Sequence, residues 1–387
     1  MSGEHQAAID LLLSKINKRG PSNSEALVFQ FGFYLFLLRD YKAMVFLFET
    51  GAIDLSKNRE AQSALVVAHS RLGNHQKALN LAEEHLRLFA DLLGPLEKSS
   101  CFDGICSNAS RLGLFNKAKR SGETSLNLKN QYAIKNHKFQ QRISRPDRHG
   151  LSKANRIISF SLFGNSPRYL RGAIENIVNA EIMLPDWACR FYLDVSVPRV
   201  VINKLEKMGA EIILQPQSAS LKEKLSWRFQ AAWDPSLALF LIRDVDSVIS
   251  NREVNAINDW ISSDRLFHIM RDWWTHTDLI LAGMWGGVGG TLPDLSNELQ
   301  QYEPQTLETP NIDQWFLRDR VWPLIHEHCL THDRCFNFRN SIRWPSEPIE
   351  GHHVGQNAHA VDRELQLENL EKHLDSKELA SALAITS

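Results

Sequence analysis

The stretch LALFLIRDVDS, residues 237–247, joins an apolar run to two carboxylates that are one residue apart. An apolar run of this length, rich in Leu, Ile and Phe, predicts a buried strand. Asp244 and Asp246 would then lie at its carboxyl end, where open α/β sheets bind ligands. Side chains two apart in extended backbone share a face, so we expect the two carboxylates to converge. Converging carboxylates are usually neutralised by Mg²⁺ or Mn²⁺.

Strand and helix patterns alternate on both sides of this stretch. The predicted strands are residues 156–164, 189–196, 210–216 and 266–272, and the predicted helices are 167–184, 197–209, 221–233 and 250–263. This alternation predicts parallel βαβ units in an open sheet with helices on both faces. Residues 283–361 are rich in Gly, Pro, Trp and His and show one clear helix pattern, 313–328.

The N-terminal third has helical periodicity and three related stretches, around Ala43, Ala78 and Ala118. In the last two, Gly73 and Gly113 precede the alanine by the same offset. This pattern resembles the tetratricopeptide repeat, in which the glycine permits a turn and the small alanine lets paired helices approach. Such repeats form surfaces for protein partners, while an ordinary helical bundle is the alternative.

The predicted organisation has four parts. Residues 1–134 form an all-α helical repeat domain, 135–155 a polar linker, 156–361 an α/β domain, and 362–387 a charged amphipathic C-terminal helix.

Composition limits the function classes. The chain of 387 residues has 44 basic and 45 acidic side chains, so no concentrated positive charge indicates nucleic-acid binding. The first twenty residues indicate neither a signal peptide nor a transmembrane segment. Five cysteines without a CxxC pair indicate reduced thiols. We therefore expect a cytoplasmic protein, either free or peripheral at the inner membrane face.

Five stretches together resemble bacterial glycosyltransferases of the GT-A type, particularly those of surface-polysaccharide clusters. They are FSLFGNSPRYLRGAIENI (160–177), DWACRFYLDVSVP (186–198), LFLIRDVDSVISNREVNAINDWISS (239–263), FHIMRDWWTHTDLILAGMWGG (267–287) and DQWFLRDRVWP (313–323). The resemblance covers about residues 155–360 and implies a GT-A-like fold. It also implies a UDP- or GDP-linked sugar donor, a glycan, lipid-linked or protein acceptor, and Mn²⁺ or Mg²⁺ between the diphosphate and the two aspartates.

The resemblance assigns roles by position. The donor nucleotide would contact the loop after the first strand and the ends of the next strands: Phe163, Gly164, Asn165, Arg168, Asp194, Arg243, Asp244 and Asp246. Sugar and acceptor would meet an aromatic and glycine-rich segment and a helix start: His276, Asp278, Trp285, Gly286, Gly287 and Gln314. Asp313 would act as general base, and His352 or His353 would complete the metal site of Asp244 and Asp246.

Structural roles stay open for several of these residues. Arg243 could reach a phosphate or pair with a carboxylate, and the tryptophans could belong to the core. Two other functions also stay open. The chain could be a repeat-based interaction protein whose glycosyltransferase-like domain is inactive. DVDSV also resembles the nucleophile motif of haloacid-dehalogenase phosphatases, in which Asp244 would be phosphorylated.

Overall fold

A computed structural model describes residue 14 and residues 25–49, 53–137, 142–144, 155–303, 311–348, 350–356 and 363–383. The chain forms two compact units, Met1–Tyr132 and Ala133–Ser387. Most of the predicted linker, including 138–141 and 145–154, lies outside the described residues. Within them, no helix is both long and apolar enough to cross a membrane.

The N-terminal unit consists of helices in the part that the structure describes. They are α1 (Glu25–Leu37), α2 (Tyr41–Leu47), α3 (Arg59–Arg71), α4 (His75–Phe89), α5 (Pro95–Arg111) and α6 (Phe115–Asn136). Gly73 and Gly113, in the turns after α3 and α5, have positive φ of 78° and 74°. Glycine adopts this conformation without steric cost. Ala78 and Ala118 are fully buried, as expected where two helices approach closely.

The C-terminal unit is mixed α/β. Its strands are β1 (Arg156–Leu162), β2 (Ala188–Leu193), β3 (Glu211–Leu214), β4 (Leu239–Arg243), β5 (Phe267–Arg271), β6 (Met284–Val288) and β7 (Cys329–Asp333). Its helices are α7 (Pro167–Met183), α8 (Arg199–Lys207), α9 (Leu221–Ser226), α10 (Asn251–Ser262), α11 (Ser296–Gln300), α12 (Ile312–Phe316), α13 (Trp322–Ile325), α14 (Arg363–Glu371) and α15 (Ser376–Leu383). A 3₁₀ segment, Trp227–Trp233, follows α9, and a π-helical segment, Leu317–Val321, joins α12 to α13.

The seven strands form one sheet in the order β3-β2-β1-β4-β6-β5-β7. Strands β1 to β4 pair in parallel, as predicted. The sheet is not parallel throughout, because β6 runs antiparallel to both β4 and β5. The sequence analysis missed β6 and also β7, which pairs in parallel with β5.

The glycines of β6 explain why that strand resembles a turn. A Cβ on Gly286 would lie 2.5 Å from the Phe240 carbonyl oxygen, and one on Gly287 would lie 2.6 Å from the Phe267 ring. Both positions therefore need glycine because the neighbouring strands are close. The predicted C-terminal helix also differs, since α14 and α15 are separate helices.

The strand order reverses at β1, which lies between β2 and β4. The chain builds outward from β1 through β2 to β3 and then returns to place β4 on the other side of β1. Open α/β sheets bind ligands in the crevice at such a switch point, outside the carboxyl ends of the strands. The end of β4 leads directly into Asp244.

Helix α7 holds the backbone that follows β4. Gly172 has no side chain, and a Cβ there would collide with the Val245 carbonyl oxygen and lie 3.0 Å from the Asp246 Cα. One turn later, the Asn176 amide donates to the Val245 carbonyl at 3.0 Å and accepts from the Ile249 N–H at 3.1 Å. Residues four apart share one helix face, so this face of α7 fixes the turn that carries both aspartates.

Candidate functional site

A cavity of about 360 Å³ opens at this switch point. Its lining residues all belong to the C-terminal unit: Ser161, Phe163, Arg168, Tyr169, Leu225, Arg228, Asp244, Val245, Asp246, His276, Leu281, Ala282, Gly283, Met284, Asn311, Asp313, Gln314 and Gly355. Both predicted carboxylates of the opening stretch and the predicted base therefore line one cavity.

Asp244 and Asp246 converge by a different backbone geometry from the one expected. The chain leaves β4 and turns at once, since the Ser247 N–H donates to the Asp244 carbonyl at 3.1 Å. The two side chains are therefore brought to one cavity by a turn, and not by the alternation of an extended strand. Asp246 is the more enclosed, with 13% of its side chain exposed against 43% for Asp244.

Arg228 links two of the acidic side chains. It lies in the 3₁₀ segment after α9 and is buried. Its Nη1 donates to Asp244 Oδ1 at 2.5 Å, and its Nη2 donates to Asp313 Oδ2 at 3.0 Å. Burial opposes the charge of the guanidinium, but the two carboxylates outweigh this and raise the pKa of Arg228. Arg228 is thus a fixed positive charge between the strand end and α12.

Asp313 is nearly inaccessible, at 3% exposure, near the start of α12. Burial raises its pKa to about 6, with a further contribution from Asp244, while Arg228 opposes the shift. A carboxyl group with a pKa in this range exchanges a proton near neutral pH. The structure therefore gives Asp313 the electrostatic properties of an acid or base.

Arg168 contacts Asp246 on the other side of the cavity. It is the second residue of α7, and its Nη2 forms an ion pair with Asp246 Oδ2. Its guanidinium also lies over the Tyr169 ring, 5.3 Å from the centroid. Burial and the neighbouring Asp244 raise the pKa of Asp246, and Arg168 opposes this rise.

Only some of the other residues predicted to bind the sugar donor line the cavity. Phe163 lines the cavity, and Gly164, with φ of 75°, donates its N–H to Ser196 Oγ at 2.7 Å. Asn165 is half-buried and lies outside the described lining. Asp194 is fully buried and accepts from Lys224 Nζ at 2.7 Å, so the structure gives it an internal ion pair.

The Arg243 side chain is buried and makes its contacts within the protein interior. Its Nη2 forms an ion pair with Glu253 of α10, both side chains being 2% exposed, and its Nη1 donates to the Gly283 carbonyl at 3.1 Å. Of the two alternatives that the sequence left open, the structure shows the carboxylate pair. Arg243 supports the base of the site and does not line the cavity in the described residues.

Of the residues predicted to contact the sugar or the acceptor, some line the cavity and others lie in the core. His276 and Gln314 line the cavity, whereas Trp285, Gly286 and Gly287 form the buried strand β6. Trp285 packs against Phe240, with ring centroids 5.4 Å apart. The prediction that these three residues contact the sugar or the acceptor is wrong. They belong to the core, because β6 lies between β4 and β5. Asp278 is half-buried outside the described lining.

The two C-terminal histidines, His352 and His353, are not part of the described cavity lining. His353 stacks on Trp273 with centroids 5.0 Å apart, and its Nδ1 lies 2.9 Å from the Val354 carbonyl. His352 is exposed. No group of three or more His, Cys, Asp or Glu side chains is arranged to hold a metal ion within the described part of the chain. The structure therefore does not bring these histidines together with the two aspartates as one ligand set.

Two residues that position the site were missed by sequence analysis. Arg228 is separated by 16 residues from Asp244 and by 85 from Asp313, so no local pattern indicates either pair. Gly283 lies beside Asp244: a Cβ there would collide with the Asp244 carboxylate and lie 2.7 Å from its backbone nitrogen. A basic residue within the apolar segment WRFQAAW was the one available signal for Arg228.

Comparisons with known proteins leave the chain without an assigned family. No family model matches it, and no curated protein matches it. Among solved structures it is similar to a variant of the O-GlcNAc transferase of Thermobaculum terrenum, with 14% identity and a TM-score of 0.32. The match covers 59% of this chain and 45% of that one, so this chain spans less than half of the transferase structure. At this TM-score the similarity carries no conclusion about fold or activity.

Proposed function

We propose that the C-terminal unit is a glycosyltransferase that uses a nucleoside-diphosphate sugar and a divalent cation. The observation that carries the proposal is the charge arrangement at the switch point: Asp244, Asp246, Arg168, Arg228 and the buried Asp313 all line one cavity. Paired carboxylates, guanidinium groups and a buried acid at the switch point of an α/β sheet are the groups that sugar transfer from a nucleoside diphosphate needs.

Arginines and a helix N-terminus are suited to a diphosphate. Arg168 lies in the first turn of α7, where the helix dipole favours an anion. Guanidinium groups bind phosphate oxygens in a bidentate manner. Arg168 and Arg228 are both within the lining, on two sides of the aspartate pair.

The aspartate pair fits Mg²⁺ or Mn²⁺. Its donor atoms are carboxylate oxygens, which these ions prefer, and Mg²⁺ is commonly held by one or two carboxylates plus substrate phosphates. Burial, and to a lesser extent the neighbouring Asp244, raises the pKa of Asp246. Asp244 and Asp246 would hold the ion. When bound, it would neutralise negative charge on the departing diphosphate.

Arg228 would act on the same negative charge. Its guanidinium is already fixed by Asp244 and Asp313, so it would need little reorganisation as the diphosphate leaves. The sugar's anomeric carbon would lose its bond to the phosphate oxygen and gain one to the acceptor hydroxyl oxygen. Asp313 would take the hydroxyl proton, since a carboxylate with a pKa of about 6 is ionised at neutral pH and still accepts protons.

His276 would contribute a neutral donor to the cavity wall. Burial holds its pKa well below the usual range, with His353 and Arg271 adding to the shift. Its Nδ1 accepts from the Asp272 N–H at 2.9 Å, so Nε2 carries the single proton. An imidazole fixed in this tautomer can donate to a sugar hydroxyl or a phosphate oxygen.

The proposal is tested by calorimetric titration of UDP and GDP into the purified chain, with Mn²⁺ and with EDTA. We expect binding of one nucleotide that requires the cation and that falls about 10-fold or more in Asp246→Asn. Asp264→Asn is the matched control, because the Asp264 side chain is 95% exposed and lies outside the cavity. Absence of nucleotide binding under every condition would contradict the proposal.

The phosphatase alternative makes a different prediction for the same cavity. It requires a covalent phosphate on Asp244, whereas the proposed transferase uses Asp244 only to bind. Incubation with an acyl-phosphate donor followed by intact-mass measurement separates the two. A phosphorylated Asp244 would replace the present proposal.

A further inference from the structure

Arg168 and Arg228 hold the aspartate pair in different ways. Arg228 is buried and donates to two carboxylates and to the Arg243 carbonyl. Arg168 makes its ion pair with Asp246 from a side chain that is 37% exposed. The part-exposed side chain has room to move, while the buried one is fixed on several sides. A bound ligand could therefore move the Arg168 side chain but not that of Arg228.

Arg168 and a divalent cation would both be drawn to the Oδ2 atom of Asp246. This oxygen contacts the guanidinium Nη2, and a bound Mg²⁺ or Mn²⁺ would need a carboxylate oxygen at about 2.0–2.2 Å. A guanidinium and a divalent ion beside one oxygen would repel each other. The backbone offers no alternative, because Gly172 and Asn176 hold residues 245 and 246 against α7.

We infer that Arg168 competes with the divalent cation for Asp246 and transfers to the diphosphate when the nucleotide binds. This inference rests on the proposed function and adds a rule for the order of binding. The cation alone must displace Arg168, so it binds weakly. A nucleoside diphosphate offers Arg168 a new partner and releases Asp246, so cation and nucleotide bind as a coupled pair.

The experiment compares two affinities of the intact chain. Mn²⁺ binding without nucleotide is measured from the electron paramagnetic resonance signal of free Mn²⁺, and UDP or GDP binding is measured at saturating Mn²⁺. The Arg168→Met variant loses both the positive charge that competes with the cation and the guanidinium that would bind the diphosphate. We expect Mn²⁺ alone to bind about 3- to 10-fold more tightly, and the nucleotide to bind about 10-fold more weakly.

Two further variants make the result specific. Arg168→Lys keeps a positive charge near Asp246, so its Mn²⁺ affinity should stay close to that of the parent chain. Arg199→Met removes an exposed arginine from the first position of α8, a comparable place outside the cavity, and should change neither affinity. A merely structural Arg168 would weaken both ligands together.

The outcomes separate the inference from the proposal on which it rests. Opposite changes in the two affinities support the inference. If the parent chain binds nucleotide with Mn²⁺ but Arg168→Met binds Mn²⁺ no more tightly, the competition is refuted and the proposed function stands. If the parent chain binds no nucleotide with Mn²⁺, both are refuted.

Discussion

Asp244 is the residue at which the parts of the site meet. Its carboxylate accepts from Arg228, its backbone begins the turn to Asp246, and Gly283 leaves the space that its side chain occupies. A substitution that fills this space should therefore act on ligand binding through Asp244.

We expect Gly283→Ala to lower the affinity for the nucleotide and cation about 10-fold or more. The added Cβ would collide with the Asp244 carboxylate and lie 2.7 Å from its backbone nitrogen, so the side chain must leave its place beside Arg228. Titration calorimetry measures the effect. Gly104→Ala is the control, because its Cβ would meet only Val66 at 3.6 Å. Unchanged affinity in Gly283→Ala would show that the position of Asp244 is not important for binding.

If Asp313 is the general base, the rate of sugar transfer should depend on pH in a defined way. The base must be ionised, and its pKa is about 6, so transfer activity should be lost as the pH falls through about 6 and be full above it. Asp313→Asn should lower kcat by about 100-fold or more while nucleotide affinity changes only a few-fold. Rates from pH 5 to 8 test this. A variant with near-normal kcat would remove Asp313 from the proton transfer.

The acidic residues of the site and Arg168 could be predicted from sequence, whereas Arg228, which links Asp244 to Asp313, could not. Asp244 and Asp246 follow an apolar strand and Asp313 lies near a helix start, so their neighbours in sequence indicate their position. Arg228 acquires its role from residues 16 and 85 positions away. Arg243 is adjacent to Asp244 in the sequence, but its partner Glu253 lies in the next helix. The pairing of Arg243 could therefore be identified only from the three-dimensional structure.

At the scale of elements, α7 acts as the support for the aspartate turn. Gly172→Ala should push the helix away from the backbone of residues 245 and 246, because its Cβ would collide with the Val245 carbonyl. Overpacking of this kind costs about 1–3 kcal/mol of unfolding free energy. We also expect weaker nucleotide binding. Chemical denaturation and titration measure the two effects, and a variant as stable and as tight-binding as the parent would contradict this role of α7.

The contact between β4 and α10 depends on the buried pair of Arg243 and Glu253. Glu253→Gln should lower the unfolding free energy by about 3–5 kcal/mol, because it leaves the buried guanidinium without its counter-charge. Replacing both residues, as Arg243→Met with Glu253→Leu, should recover much of this loss. Denaturant melts of the parent chain and of these two variants test it. A Glu253→Gln variant as stable as the parent chain would contradict the predicted loss, and a double variant no more stable than Glu253→Gln would contradict the predicted recovery.

The elements could be predicted where their pattern is regular. The helices α7, α8 and α10 and the strands β1 to β5 lie at the predicted places, since each has a clear apolar pattern between turn residues. Strand β6 resembles a glycine-rich turn because close packing against β4 and β5 demands glycine. Its antiparallel direction is a property of the sheet, and no feature of its five residues indicates it.

At the scale of the molecule, the cavity belongs to one unit. Among the described residues, every lining residue lies between Ser161 and Gly355, so the groups used in the proposal belong to the C-terminal unit. The helical unit carries the glycine turns and buried alanines on which the repeat prediction rests.

The most direct test of the central claim is a turnover measurement on the intact chain. The chain is incubated with a panel of UDP- and GDP-linked sugars and Mn²⁺, and released nucleoside diphosphate is measured over time. We predict release from at least one donor that EDTA abolishes and that Asp244→Asn and Asp246→Asn each reduce about 100-fold or more. Release from no donor by folded protein, or release that is unchanged in both variants, would contradict the proposal that this cavity transfers sugars.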